Sequence, residues 1–167
     1  MPNILIEENK VYGIDCTSAI WATDEIHDVY HRAGVQLKDV DFVIEDEEKL
    51  YLVEYKNANI SGAANPNAFK PLEDKARISV VQKFYDSLHY LTLRNKTKSR
   101  DYIYIVEGPK IDRTMRKKLR NSLKNALPFA LQDQISNNAE LIQEVAVLSI
   151  DEWNAHRVYG RFPVVKL

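Results

Sequence analysis

Residues 41–56 read DFVIEDEEKLYLVEYK. Two apolar runs, 42–44 and 50–53, flank an acidic turn at 45–49. Short runs of Val, Ile, Leu, Phe and Tyr bounded by such a turn predict two strands of a β-hairpin. The first strand opens on Asp41 and the second closes on Glu54-x-Lys56. Side chains alternate between faces along a strand, so Glu54 and Lys56 point the same way. In a hairpin Asp41 can lie opposite them. Two carboxylates and an ammonium converging from adjacent strands can hold a divalent cation and orient a water for attack on a phosphodiester.

On the N-terminal side, residues 4–7 and 11–15 flank Glu8-Asn9-Lys10 as a predicted hairpin. Thr17 or Ser18 can cap a helix running to Ala33, with Gly34 in the left-handed closing position. Ala22, Ile26, Val29, Tyr30 and Ala33 form its apolar stripe.

C-terminal to the hairpin, residues 57–71 are rich in Asn and Ala and read as a loop, long for a compact domain. Residues 72–93 carry Ile78, Val81, Phe84, Tyr85, Leu88 and Leu91 or Tyr90 at helical spacing. A strand follows at 102–106, ended by Gly108-Pro109. A helix over 111–127 has Ile111, Met115, Leu119 and Leu123 in i, i+4 register, and Pro128 ends it or starts a short continuation. Residues 144–149 predict another strand. Ser149 and Glu152 form a capping box for a short helix through Trp153. The order β-β-α-β-β-α-β-α-β-α predicts an α/β (α+β) fold in one domain over residues 1–167, a mixed sheet with helices on both faces.

The bulk numbers bound the class. A chain of 167 residues can bury about 70% of its unfolded surface as one domain. Hydrophobic content of 45% and charged content of 28% fit a globular protein. One cysteine, Cys16, excludes an internal disulfide framework and suits a reducing compartment. Residues 1–10, MPNILIEENK, lack the pattern of a signal peptide, and no apolar run approaches the ~20 residues that span a bilayer. A cytoplasmic protein with no membrane partner is therefore expected.

A net charge of −1 conceals an asymmetry: residues 1–69 carry −8, residues 70–124 carry +9, and residues 125–167 carry −2. An acidic half holding a cation site and a basic segment for a polyanion is one reading. Charge pairing between two halves of one fold is the other.

The segments VDF at 40–42 and VEYK at 53–56, with an upstream helix bearing Glu25, resemble the PD-(D/E)xK nuclease superfamily, which has the restriction-endonuclease-like fold. Val40 stands where the family name has proline. The resemblance implies a Mg²⁺- or Mn²⁺-dependent nuclease cutting DNA or RNA. Asp41, Glu54 and the Tyr55 backbone carbonyl are the implied metal ligands, Lys56 would hold the attacking water, and Glu25 would serve as a further ligand or supporting contact. Gln82 and Lys83 lie on the helix where relatives place an active-site polar residue. Many proteins of this fold form homodimers.

Other signals are less specific. Arg113, Arg116, Lys117, Arg120 and Lys124 lie opposite the apolar stripe of the 111–127 helix and offer a nucleic-acid contact or a solvated face. His27 and His31, at i and i+4, can share a zinc ion with Asp24 or Asp28, or stand exposed. The alternative function is a non-catalytic binding protein on the same fold, an inhibitor-like partner of another protein or a nucleic-acid-binding module.

Overall fold

A computed structural model describes residues 3–59, 65–135 and 139–167. The predicted 41–56 hairpin is its centre. Strand β4 (Phe42–Glu45) pairs antiparallel with β5 (Lys49–Asn57), in the register Phe42↔Val53 to Glu45↔Leu50. β5 then pairs parallel with β6 (Ser99–Glu107), and β6 with β7 (Glu144–Leu148). With β3 (Trp21–Thr23) on the outer edge of β4, they form a five-stranded mixed sheet in the order β3-β4-β5-β6-β7.

Both parallel connections are helical crossovers. Helix α2 (Asp74–Leu93) joins β5 to β6, and α3 (Arg113–Ala126) with α4 (Phe129–Ile135) joins β6 to β7. The strand order advances in one direction through both. The right-handed crossover rule therefore lays both helices on one face of the sheet. There Val80, Val81, Phe84, Leu119 and Leu123 cover Val43, Leu50, Leu52, Tyr102 and Val106, and Ile26 and Tyr30 of α1 (Ile26–Ala33) complete this core.

The opposite face carries Phe42, Ile44, Tyr51, Val53, Ile103 and Ile105. It is covered by Trp153 of α5 (Ile150–Ala155) and by a three-stranded antiparallel sheet of β1 (Ile4–Ile6), β2 (Tyr12–Asp15) and β8 (Val164–Lys166). Apolar material on both faces explains why β5 and β6 read as unbroken hydrophobic runs rather than alternating ones.

Three sequence expectations need correction. The helix expected from residue 17 or 18 starts at Ile26, because residues 21–23 are taken as an edge strand by β4. The presumed caps serve elsewhere: Ser18 Oγ donates to the Arg161 carbonyl, and Thr17 Oγ1 accepts from Asn3 N–H. Second, β8 was not expected. It pairs with β2 from the far end of the chain, and no local pattern announces that partner. Third, the expected 57–71 loop begins with order: Asn57 ends β5, and Ala58 N–H donates to the Glu107 carbonyl at 2.9 Å. A 3-10 turn occupies Pro66–Ala68, and Phe69 packs against the helical core. Residues 60–64 lie outside the described residues.

The capping box is present: Ser149 Oγ accepts from Glu152 N–H, and the Glu152 carboxylate accepts from Ser149 N–H. Gly34 closes α1 at φ 71°, the left-handed conformation in which a Cβ is penalised.

Candidate active site

Asp41 stands one residue outside the last registered pair, Phe42↔Val53, so it faces Glu54 across the strands. Both lie on the sheet face that α2 covers, as their neighbours Val43 and Leu52 do. The Tyr55 N–H, which has no ladder partner on β4, donates to Asp41 Oδ2 at 2.8 Å. A residue in a strand directs its N–H and C=O toward the same side, so the Tyr55 carbonyl lies on the Asp41 edge too.

One more bond fixes this corner. Val40 N–H donates to Ser87 Oγ of α2 at 3.0 Å, with Ser87 fully buried. Ser87→Ala leaves that amide without a partner. It is expected to lower stability by about 1–3 kcal/mol, measured by chemical denaturation.

Glu54 is only 5% exposed. Its Oε1 accepts a hydrogen bond from the Lys83 ammonium, one helical turn before Ser87 on α2. Its Oε2 is buried and has no hydrogen-bond partner among the described residues. Burial, and then the negative charge of Asp41, push the Glu54 carboxyl up to about 8, with Lys83 opposing. Burial also raises Asp41, against the pull of the Tyr55 N–H and of Lys83. For Lys83, burial works against the charge, but attraction to Glu54 outweighs it and holds the ammonium above its ordinary value.

Asp41, Lys56 and Lys83 open onto a cleft of about 710 Å³, whose other walls include Asp24, His27 and Asp39. Glu54 does not line the cleft; Lys83, which does, connects it to the space. Lys56 is exposed at the rim, with its ammonium 5.8 Å from the centre of the Phe69 ring.

The residues singled out in the sequence therefore divide. Asp41, Glu54 and the Tyr55 backbone converge, and Lys56 joins them at the mouth. Glu25 does not. It precedes the first residue of α1, and its carboxylate accepts from the Tyr90 hydroxyl at 2.7 Å and from Arg94 at 2.6 Å. The hydrogen bond from Tyr90, then that from Arg94, hold it below the usual carboxylate range. Its neighbour Asp24 lines the cleft instead.

Lys83, singled out from the sequence together with Gln82 as a polar residue of the active-site helix and a nucleic-acid contact, is the lysine that touches a site carboxylate. Gln82, beside it, is exposed. The basic face of α3 is partly spent internally. Arg116 pairs with Glu152 at 2.6 Å, and the Lys124 ammonium lies 5.5 Å from the Phe129 ring. Arg113 and Lys117 are exposed, and Arg120 is half-buried. Helix α3 packs on β7, three strand spacings or roughly 14 Å from β4. The acidic turn 45–48 lies at the other end of the hairpin from Asp41 and Glu54, where Glu45 pairs with Lys96 and Lys98, and Asp46 with Arg161.

Whether the corner fits a divalent cation follows from its donors. Asp41 Oδ1 has no hydrogen-bond partner among the described residues, Glu54 Oε2 is buried and unpartnered, and the Tyr55 carbonyl is alongside. All are oxygens, and two carboxylates completed by water and substrate phosphate are the set that Mg²⁺ uses. Among the described residues no group of three or more His, Cys, Asp and Glu is arranged as a metal site, so the fit rests on two carboxylates and a carbonyl. His27 and His31 are both exposed on α1. Among the described residues no helix is long and apolar enough to cross a membrane. Compared with protein-family models, with curated proteins and with solved structures, the chain matches none.

Proposed function

We propose that this chain is a metal-dependent nuclease of the PD-(D/E)xK superfamily, hydrolysing phosphodiester bonds of DNA or RNA in the cleft above Asp41. The observation that carries the reading is the Glu54 carboxylate: buried, bonded to a lysine through one oxygen, unpartnered at the other among the described residues, and facing Asp41 across the hairpin. An unsatisfied buried carboxylate oxygen is costly. A site that has to receive a cation accounts for that cost, whereas a purely structural ion pair does not.

Asp41, Glu54 and the Tyr55 carbonyl would hold Mg²⁺ or Mn²⁺. The cation, when bound, supplies polarisation of the scissile phosphate and acidifies a water. Lys83, bonded to Glu54 and lining the cleft, would hold the attacking water and offset the negative charge that grows on the phosphoryl oxygens. Lys56, at the mouth, meets the phosphate backbone. Arg113 and Lys117 are too far across the sheet to touch the scissile phosphate and would contact only flanking nucleotides.

The test incubates purified protein with single- and double-stranded DNA and RNA, with Mn²⁺ or with chelator. Cleavage should need the metal. Lys83→Met should lower the rate 10²- to 10³-fold, the typical effect of removing one donor from a charge-stabilising site. Lys56→Ala should lower it about tenfold, mainly through KM. Activity that persists in chelator sinks the mechanism. Absence of cleavage together with absence of Mn²⁺ binding would favour a non-catalytic binding protein.

A further inference from the structure

The cleft contains a second arrangement that the metal corner does not use. His27 Nδ1 lies 3.1 Å from Asp39 Oδ1. A carboxylate only accepts, so this contact puts the imidazole proton on Nδ1 and frames Nε2. No hydrogen bond engages Nε2 among the described residues, and the His27 side chain is 74% exposed, open to a substrate. Asp39 is only 16% exposed and reaches the site by a short path, two residues before Asp41. His27, Asp39, Asp41 and Lys83 all line the same space, with His27 supplied by α1 and Lys83 by α2.

In-line displacement at phosphorus needs the attacking and leaving oxygens on opposite sides. The lysine beside Glu54 serves the attacking side, and a proton donor on a different wall suits the other. A carboxylate so placed fixes the tautomer and orientation of a histidine, aiming its other ring nitrogen at the substrate.

We propose that His27, positioned by Asp39, is the general acid that protonates the leaving oxygen. This rests on the phosphodiesterase reading above. In the step, a water oxygen bonds to phosphorus and the phosphorus–oxygen bond to the leaving group breaks. Its electron pair stays on the leaving oxygen, which takes the proton from His27 Nε2 and departs as an alcohol. The attacking water releases one proton to solvent, and the imidazole regains one from solvent, so the enzyme returns unchanged.

General-acid catalysis matters when the leaving group is a poor one, which gives a test separate from simple loss of activity. The full-length protein is assayed with Mn²⁺ on two thymidine phosphodiesters, a dinucleotide that must expel an alkoxide and a p-nitrophenyl ester that expels a stabilised phenolate. His27→Ala and His27→Gln are expected to lose about 10²- to 10³-fold on the dinucleotide and less than about tenfold on the aryl ester. Asp39→Asn should show the same leaving-group pattern with a smaller loss, as befits a positioning residue. Equal losses on both substrates, or none on either, overturn the general acid while leaving the phosphodiesterase intact. A wild-type protein that cleaves neither ester, under conditions where it binds Mn²⁺, overturns the underlying reading and the general acid with it.

Discussion

Asp41→Asn is expected to reduce Mn²⁺-dependent cleavage on the order of 10³-fold and to remove the stabilisation that Mn²⁺ confers on the folded protein. The reasoning separates fold from chemistry. Asparagine keeps an oxygen to accept the Tyr55 N–H, the bond that ties Asp41 to β5 at 2.8 Å, so the corner should hold its shape. It loses the anionic oxygen that the proposed cation site needs. Disturbing a residue that merely supports a metal ligand costs 10- to 100-fold in affinity, and losing a direct ligand should cost no less. The chemical step then loses several kcal/mol of transition-state stabilisation, which is about three powers of ten. Two measurements check this. One is the rate on the best nucleic-acid substrate. The other is thermal denaturation with and without Mn²⁺, where a cation at 100 times its Kd should add about 2.7 kcal/mol to the wild type and far less to the variant. An identical Mn²⁺ shift in both proteins would place the cation elsewhere.

The parts of this fold that were legible in the sequence are those with a local physical cause. The 41–56 hairpin is bounded by its own acidic turn, the helices α2 and α3 announce themselves by apolar spacing, and Ser149 with Glu152 marks the start of α5. What was not legible depends on contacts between distant parts of the chain. Strand β3 has three residues, too few to show a period, and exists because β4 offers an open edge. Strand β8 exists because β2 does.

The site divides in the same way. Parity along β5 and the pairing of a hairpin are enough to bring Asp41 and Glu54 together, because both follow from strand geometry. Which helical side chain arrives above them depends on the axial position of α2, and the sequence does not carry it. Lys83 and its neighbour Gln82 stand about 100° apart around that axis, and only Lys83 reaches Glu54. Glu25 illustrates the converse. With the helix starting at Ile26, the residue before it is outside the helical phase, and its carboxylate turns to Tyr90 and Arg94. Part of the charge asymmetry is internal too. Glu25–Arg94, Glu45–Lys96, Glu45–Lys98 and Glu54–Lys83 each join an acid from residues 1–69 to a base from residues 70–124.

The Glu54–Lys83 pair also predicts how stability should depend on pH. Burial, and then the charge of Asp41, push the Glu54 carboxyl up to about 8 in the folded protein, against an ordinary glutamate value of about 4.3. The folded state therefore binds its proton more tightly than the unfolded chain does. Between those two values stability should fall as pH rises, by at most about 1.4 kcal/mol per pH unit. Lys83, raised by its partner, contributes stability that is complete below the ordinary lysine range and lost only above it, outside this window. In Lys83→Met the opposing positive charge is gone, so Glu54 is pushed further up. Near pH 5 it stays protonated and the substitution should cost little. Near pH 9 folding must either hold that proton or bury a bare carboxylate, and the variant should be destabilised by about 3–5 kcal/mol, the cost of breaking a buried pair. Adding Glu54→Gln to Lys83→Met removes the group that titrates and should flatten the curve again, a coupling that a double-mutant cycle reads directly. Urea denaturation of the wild type and these two variants from pH 5 to 9 decides it: parallel curves for wild type and Lys83→Met would mean that Glu54 is already satisfied without its lysine. The buried carboxylate would then give no reason to expect a cation.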